Sequence, residues 1–76
     1  MFGIPRAVIE QRKKDYPAGT RVELISMNDI QAPPPGTLGT VVGVDDIGTI
    51  MVNWDTGSGL GVAYGEDICR KVVSDD

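Results

Sequence analysis

The sequence contains no histidine and a single cysteine, Cys69, among its 76 residues. Without histidine, neither a Ser-His-Asp triad nor a Cys-His pair can be assembled. A single cysteine forms no internal disulfide and cannot supply the thiolates of a structural zinc site. This cysteine usage fits a reducing, cytoplasmic compartment. The sequence therefore predicts a protein that is not an enzyme and that uses no cofactor.

Long apolar runs and an excess of basic residues are also missing. The longest apolar stretch is far shorter than the roughly 20 residues of a membrane span, and the N-terminus lacks a signal-peptide core. We therefore expect a soluble protein without a membrane partner. The net charge of −4 disfavours general binding to phosphate backbones. The glycine-rich segment 57–61 is not followed by a predicted helix, so it lacks the pattern of a phosphate-binding loop.

Acidic residues are the remaining candidates for metal chemistry. The carboxylates in question lie at predicted turns and are Asp45, Asp46, Asp55, Glu66 and Asp67. Calcium needs about six to eight oxygen ligands, usually from one loop, and the sequence has no EF-hand spacing. Aspartates at turns commonly bond their own backbone instead. We therefore expect these residues to stabilise turns, and we predict no metal site.

The order of apolar and turn-forming residues predicts one helix followed by short strands. Residues 5–15 read as a helix that begins at Pro5 and packs on the rest of the domain through Val8, Ile9 and the stem of Arg12. Alternating polar and apolar residues, separated by glycine-containing turns, then predict five strands. These strands are expected over residues 20–25, 37–44, 49–54, 60–64 and 68–73.

The predicted fold is mainly β, a small five-stranded SH3-like barrel preceded by a short N-terminal helix. Short strands at regular spacing indicate a sandwich or a barrel, and roughly 55 residues are too few for a sandwich. We place a helical arm at 1–15, the barrel at 16–73 and an acidic tail at 74–76. A chain of this size has a thin core, and its oligomeric state is left open.

Two aromatic residues, Trp54 and Tyr64, have functional potential. A surface aromatic on a small β domain can hold an extended peptide. Trp54 is in phase with Ile50 and Val52, which favours a core position over a ligand-binding position. Tyr64 ends a predicted strand beside a turn, so both roles stay open for it.

The loop from Met27 to Pro35 is the strongest candidate for a binding surface. It is long for so small a domain, and long loops on a rigid scaffold often carry function. Its apolar side chains would be exposed unless they fold back or meet a partner. A structural lid over the end of the barrel is an equal alternative. The residues predicted to contact a protein partner are Met27, Asp29, Ile30, Pro34, Trp54 and Tyr64.

A second hypothesis is nucleic-acid binding through the basic part of the helix. Arg12, Lys13, Lys14 and Arg21 would then contact phosphates. The acidic balance and the shortage of aromatic residues for base stacking disfavour this hypothesis. A third possibility is a purely structural subunit, which the sequence does not separate from a protein-binding module.

Several segments of the chain resemble a known family. They are Gly19-Thr20-Arg21-Val22 and residues 27–33, 36–41, 44–50 and 52–58. From about Tyr16 to Arg70 the chain resembles the small bacterial and phage domains known as domain of unknown function 4314, a family without an assigned activity. The Trp54-Asp55-Thr56-Gly57-Ser58 turn is also similar, more weakly, to turns in SH3-like barrels. That second similarity concerns the fold and implies little about function.

Overall fold

The computed structural model describes residues 4–72, which form one helix and four strands. Helix α1 (Arg6–Asp15) precedes strands β1 (Arg21–Ser26), β2 (Leu38–Val44), β3 (Ile50–Trp54) and β4 (Ile68–Lys71). The strands form one antiparallel sheet in the order β3-β2-β1-β4. The mainly β class is therefore confirmed. The predicted tail at 74–76 and the last residue of the predicted barrel lie outside the described residues.

Helix α1 begins directly after Pro5, whose carbonyl accepts the N–H groups of Val8 and Ile9 at 3.0 and 3.2 Å. Pro5 itself is the N-cap residue with a non-helical ψ of 138°, so the helix begins one residue after the predicted start. Val8 and Ile9 are half-buried, and the guanidinium of Arg12 donates to the carbonyl of Gly48 at 2.6 Å. Ile9 and Arg12, two of the three residues predicted to pack on the domain, therefore contact the turn at Gly48. Within the described chain, no helix has the length and hydropathy that a membrane crossing requires.

The hydrophobic core lies on one face of the sheet. Its buried members are Val22, Leu24, Val41, Ile50, Val52, Trp54 and Val62. The alternation predicted for β1 and β3 is confirmed, since every second residue of β3 is buried. Trp54 is 2% exposed, and its indole N–H donates to the carbonyl of Leu60 at 2.8 Å. The inclusion of Trp54 among partner-contacting residues is therefore corrected to a core role, because the buried ring offers a partner no surface.

The predicted strand at 60–64 does not form, so the expected five-stranded barrel is corrected to an open sheet of four strands. Only Val62 pairs with β3, in two hydrogen bonds to Ile50 of 2.8 and 3.0 Å. The carbonyl of Leu60 accepts the indole N–H of Trp54 at this point. A glycine within the segment weakens strand formation. The segment consequently joins the sheet at one position instead of along a ladder.

Strand β2 contains two glycines with different surroundings. A Cβ at Gly39 would lie 2.6 Å from Cγ1 of Val52 and 2.7 Å from Cε3 of Trp54, whereas a Cβ at Gly43 would meet nothing within 4 Å. Gly43 instead borders an irregularity in the pairing of β2 with β3. Gly39 is therefore the position at which β2 approaches the side chains of β3 most closely.

Candidate functional site

The loop between β1 and β2 carries one apolar side chain at its tip. Ile30 is 100% exposed. Asp29 defines the tip, because its Oδ1 accepts the N–H of Gln31 at 2.7 Å and its carbonyl accepts the N–H of Ala32 at 3.0 Å. An aspartate that bonds the backbone two residues on forms a turn by itself.

Among the carboxylates predicted to stabilise turns, Asp45 does so, because its Oδ1 accepts the N–H groups of Ile47 and Thr49 at 3.1 and 2.9 Å. Asp29, outside that prediction, acts in the same way and positions Ile30.

Both ends of this loop are attached to the rest of the domain. Met27 packs against the core, and Pro33 is buried. At the other end, the N–H of Gly36 donates to the carbonyl of Leu24 in β1 at 2.7 Å. The loop is thus held at both ends, with Met27 turned to the core while Ile30 stands in solvent. Among the predicted contact residues of the loop, Met27 is the one that packs inward.

Asp67 connects this loop to the turn that carries Tyr64. One carboxylate oxygen accepts the N–H of Asn28 at 3.0 Å, and the other accepts the N–H of Ala63 at 2.9 Å. The structure therefore brings together two parts of the predicted site, the start of the loop and the turn at Tyr64. Sequence reasoning missed this connection, because Asn28 and Asp67 are 39 residues apart in the chain.

Tyr64 also lines an apolar groove between α1 and two turns of the sheet. The groove is open to solvent, with a volume of about 480 Å³. Its apolar lining residues are Ile4, Ile9, Ile47, Ala63 and Tyr64, and its acidic ones are Asp46 and Glu66. The side chains of Ile47 and Tyr64 are 67% and 45% exposed. The sequence did not predict this groove, because its lining comes from segments that are distant in the chain.

Arg12 holds the helix against the groove. Besides donating to Gly48, its guanidinium lies over the ring of Tyr64, 5.2 Å from the ring centroid. Such a cation–π contact is favourable. Lys13, the next residue, lies 3.3 Å from a carboxylate oxygen of Asp46 on the adjacent hairpin turn. These contacts join the helix to both walls of the groove.

The basic residues of the nucleic-acid hypothesis are mostly engaged within the protein. Arg12 and Lys13 make the contacts just described, and Lys14 is exposed. Arg21 donates two hydrogen bonds, of 2.9 and 2.7 Å, to the carboxylate of Asp55. This hydrogen bonding lowers the pKa of Asp55 and raises the pKa of Arg21. Three of the four cations therefore already have a partner.

Cys69 packs beside the core, opposite Leu24 of β1. Burial raises the pKa of the Cys69 thiol, which lowers the fraction of thiolate, the reactive form. Across residues 4–72, no three His, Cys, Asp or Glu side chains come together as ligands for a metal ion. The side chains best placed for contact with another molecule are therefore those at the loop tip and those that line the groove.

Comparison with known proteins agrees with the resemblance noted in the sequence. The family described as domain of unknown function (DUF4314) matches residues 5–72. Neither a curated protein nor a solved structure matches the chain. The family match spans the helix, the loop with Ile30, the connector Asp67 and every lining residue of the groove except Ile4. The chain therefore belongs to the family described as domain of unknown function (DUF4314).

Proposed function

We propose that this chain is a non-enzymatic module that binds another protein through the tip of its long loop. The observation that carries the proposal is the complete exposure of Ile30 on a loop that is attached at both ends. Asp29 and Pro34 flank the tip as exposed residues. A protein–protein interface usually has an apolar centre and a more polar rim.

The energetics favour Ile30 as the central contact. Transfer of a fully exposed isoleucine side chain into a partner's pocket would gain roughly 1.5–3 kcal/mol. The hydrogen bonds of Asp29 already set the backbone on either side of Ile30. Because little further ordering is needed on binding, a larger part of that gain becomes affinity.

The non-enzymatic part of the proposal is supported by the available side chains. The sequence contains no histidine, and burial raises the pKa of the one thiol, Cys69. The pKa of Cys69 therefore shifts away from the value that nucleophilic catalysis at neutral pH would need.

The test is a comparison of three tagged proteins in lysate of the source organism, with and without nuclease treatment. These are the wild type, Ile30→Ser and Ile68→Ser, where Ile68 is a second exposed isoleucine (58%) outside the loop. We expect a protein that the wild type and Ile68→Ser retain equally and that Ile30→Ser retains about tenfold less, equivalent to 1.4 kcal/mol. Circular dichroism checks that all three are folded.

Two results would refute the proposal. Equal retention of the partner by Ile30→Ser and the wild type would show that the loop tip is not the contact. Recovery that depends on nucleic acid, and disappears on nuclease treatment, would favour the basic-helix hypothesis instead.

A further inference from the structure

We propose that the groove beside Tyr64 is a second binding site, for a peptide segment in which an apolar side chain is flanked by lysine or arginine. The site is separate from the loop tip, and the proposal does not depend on the contact at Ile30. It combines three features of the groove, namely its apolar lining, its fixed walls and its acidic rim.

The lining forms a continuous apolar surface. Ile4 and Ile9 lie over the hairpin turn at Gly48. A Cβ added at Gly48 would be 3.3 Å from Cδ1 of Ile4 and 3.4 Å from Cγ1 of Ile9. Ile47 and Tyr64 line the same groove with much of their surface exposed. A volume of about 480 Å³ lies within the range of known ligand sites. Exposed apolar side chains that share one depression mark a contact site more strongly than scattered ones.

The walls of the groove are fixed before a ligand arrives. Arg12 donates to the carbonyl of Gly48 at 2.6 Å and covers one face of the Tyr64 ring. The carboxylate of Asp67 holds the N–H of Ala63, directly before Tyr64, at 2.9 Å. A ligand therefore meets a preorganised surface, which lowers the entropic cost of binding.

The rim selects for positive charge. Asp46 and Glu66 both line the groove and are exposed. The cation beside Asp46 is Lys13, and an exposed pair of this kind is weak. Among residues 4–72, Glu66 has no cationic partner within salt-bridge distance. Arg12, the cation beside Tyr64, is directed at backbone carbonyls.

The same charges disfavour a second copy of this chain as the occupant. Two copies, each with a net charge of −4, repel each other. The most exposed apolar residue that a copy could insert, Ile30, is preceded by Asp29, which would approach the acidic rim. A basic, apolar peptide has the complementary charge, so we commit to that occupant.

The experiment is a titration of ¹⁵N-labelled protein, followed by amide chemical shifts, with three blocked pentapeptides. Their sequences are Ala-Lys-Leu-Lys-Ala, Ala-Glu-Leu-Glu-Ala and Ala-Lys-Ser-Lys-Ala. We expect the first to shift the amides of Ile9, Ile47 and Tyr64 in a saturable way, with a Kd near or below about 1 mM. The acidic peptide and the serine peptide should bind more weakly, since each lacks one of the two features.

Variants separate the groove from the loop tip. Ile47→Ser should abolish saturation at the groove, and Glu66→Gln should weaken the Lys-Leu-Lys peptide about two- to fivefold, as expected for loss of one exposed charge pair. Ile30→Ser should bind this peptide like the wild type, so failure of the loop-tip proposal leaves this one standing. Preserved dispersion of the amide spectrum shows that each variant is folded.

Three outcomes would overturn the proposal. They are the absence of shifts at the groove, equal binding of the acidic and basic peptides, and self-association through the groove. The last would appear as a sedimentation coefficient that rises with protein concentration and returns to the monomer value in Ile47→Ser.

Discussion

Replacement of Gly39 by alanine tests whether the close approach of β2 to the core stabilises this domain. The added Cβ would lie 2.6 Å from Cγ1 of Val52 and 2.7 Å from Cε3 of Trp54. Both neighbours are 2% exposed and packed within the core. Neither can move away without displacing other buried side chains, so the strain cannot be relieved locally.

The expected loss of stability follows from this overlap. Adding a methyl group to a well-packed core costs about 1–3 kcal/mol. At roughly 0.05–0.15 kcal/mol per residue, a chain of 76 residues has a total free energy of unfolding of about 4–11 kcal/mol. We therefore expect Gly39→Ala to remove a large fraction of the stability, about 2 kcal/mol. A loss of that size lowers the Tm by roughly 8–16 °C for a small domain.

Urea unfolding followed by tryptophan fluorescence measures this loss directly. Trp54 is the only tryptophan, and its burial means that unfolding moves its emission to longer wavelength. Gly43→Ala is the matched control, since it lies in the same strand and a Cβ there meets nothing within 4 Å. At a position with compatible φ and ψ, replacing glycine by alanine raises the free energy of unfolding by about 0.4–1 kcal/mol.

Two results would contradict the packing argument. If Gly39→Ala unfolds at the same urea concentration as the wild type, the core tolerates the methyl group and the strand is not closely packed there. If both variants lose the same stability, the cost arises from alanine in the β2 backbone and not from contact with the core.

Three further predictions concern single side chains. Because burial raises the pKa of Cys69, the native thiol should react with a disulfide reagent at pH 8 at least about tenfold more slowly than the urea-unfolded chain; equal rates would contradict its burial. The hydrogen bond from Arg21 lowers the pKa of Asp55, so the unfolded state binds more protons in the acid range. The stabilisation from this pair is complete at neutral pH and is lost as the pH falls from the unfolded-state pKa, about 3.9, through the lower folded-state pKa. Asp55→Asn should therefore show a flatter decrease of the urea midpoint below about pH 5, and an unchanged slope would show that the pair does not contribute. Asp67→Ala removes the acceptor of two backbone N–H groups and should lower the free energy of unfolding by about 1–2 kcal/mol. Its exposed neighbour offers the control Glu66→Ala, which should change stability by less than about 0.5 kcal/mol; equal effects would show that the bridging carboxylate is unimportant.

Local patterns were sufficient for the helix, for four of the five predicted strands and for the core face of β3. Ile50, Val52 and Trp54 alternate with polar or exposed residues, and a strand with that period can bury only one face. This phase favoured a core position for Trp54, and the structure decided it, since the ring is 2% exposed. Pro5 and the apolar residues after it likewise located the helix, since capping and helical periodicity are properties of neighbouring residues.

The segment 60–64 shows where local pattern ceases to be informative. It has the alternation of a strand, yet it pairs only at Val62. The carbonyl of Leu60 accepts the indole N–H of Trp54, a tertiary contact that the alternation of residues within the segment cannot predict.

The two candidate sites also differ in how far the sequence predicted them. The length and composition of the loop identified it as a candidate from the sequence, but they did not show that Met27 packs inward while Ile30 is exposed. The groove was not predicted at all, because its lining comes from the helix, a hairpin turn and the turn at Tyr64.

By itself, the sequence determined the mainly β class, the helix and the lack of side chains for histidine-dependent chemistry. These properties depend on residue type and on neighbours within a few positions. The tertiary structure decided that the sheet has four strands, that Asp67 joins the loop to the turn at Tyr64, and that an acidic, apolar groove forms beside the helix. These features depend on which distant segments become neighbours, and only the packed chain determines that.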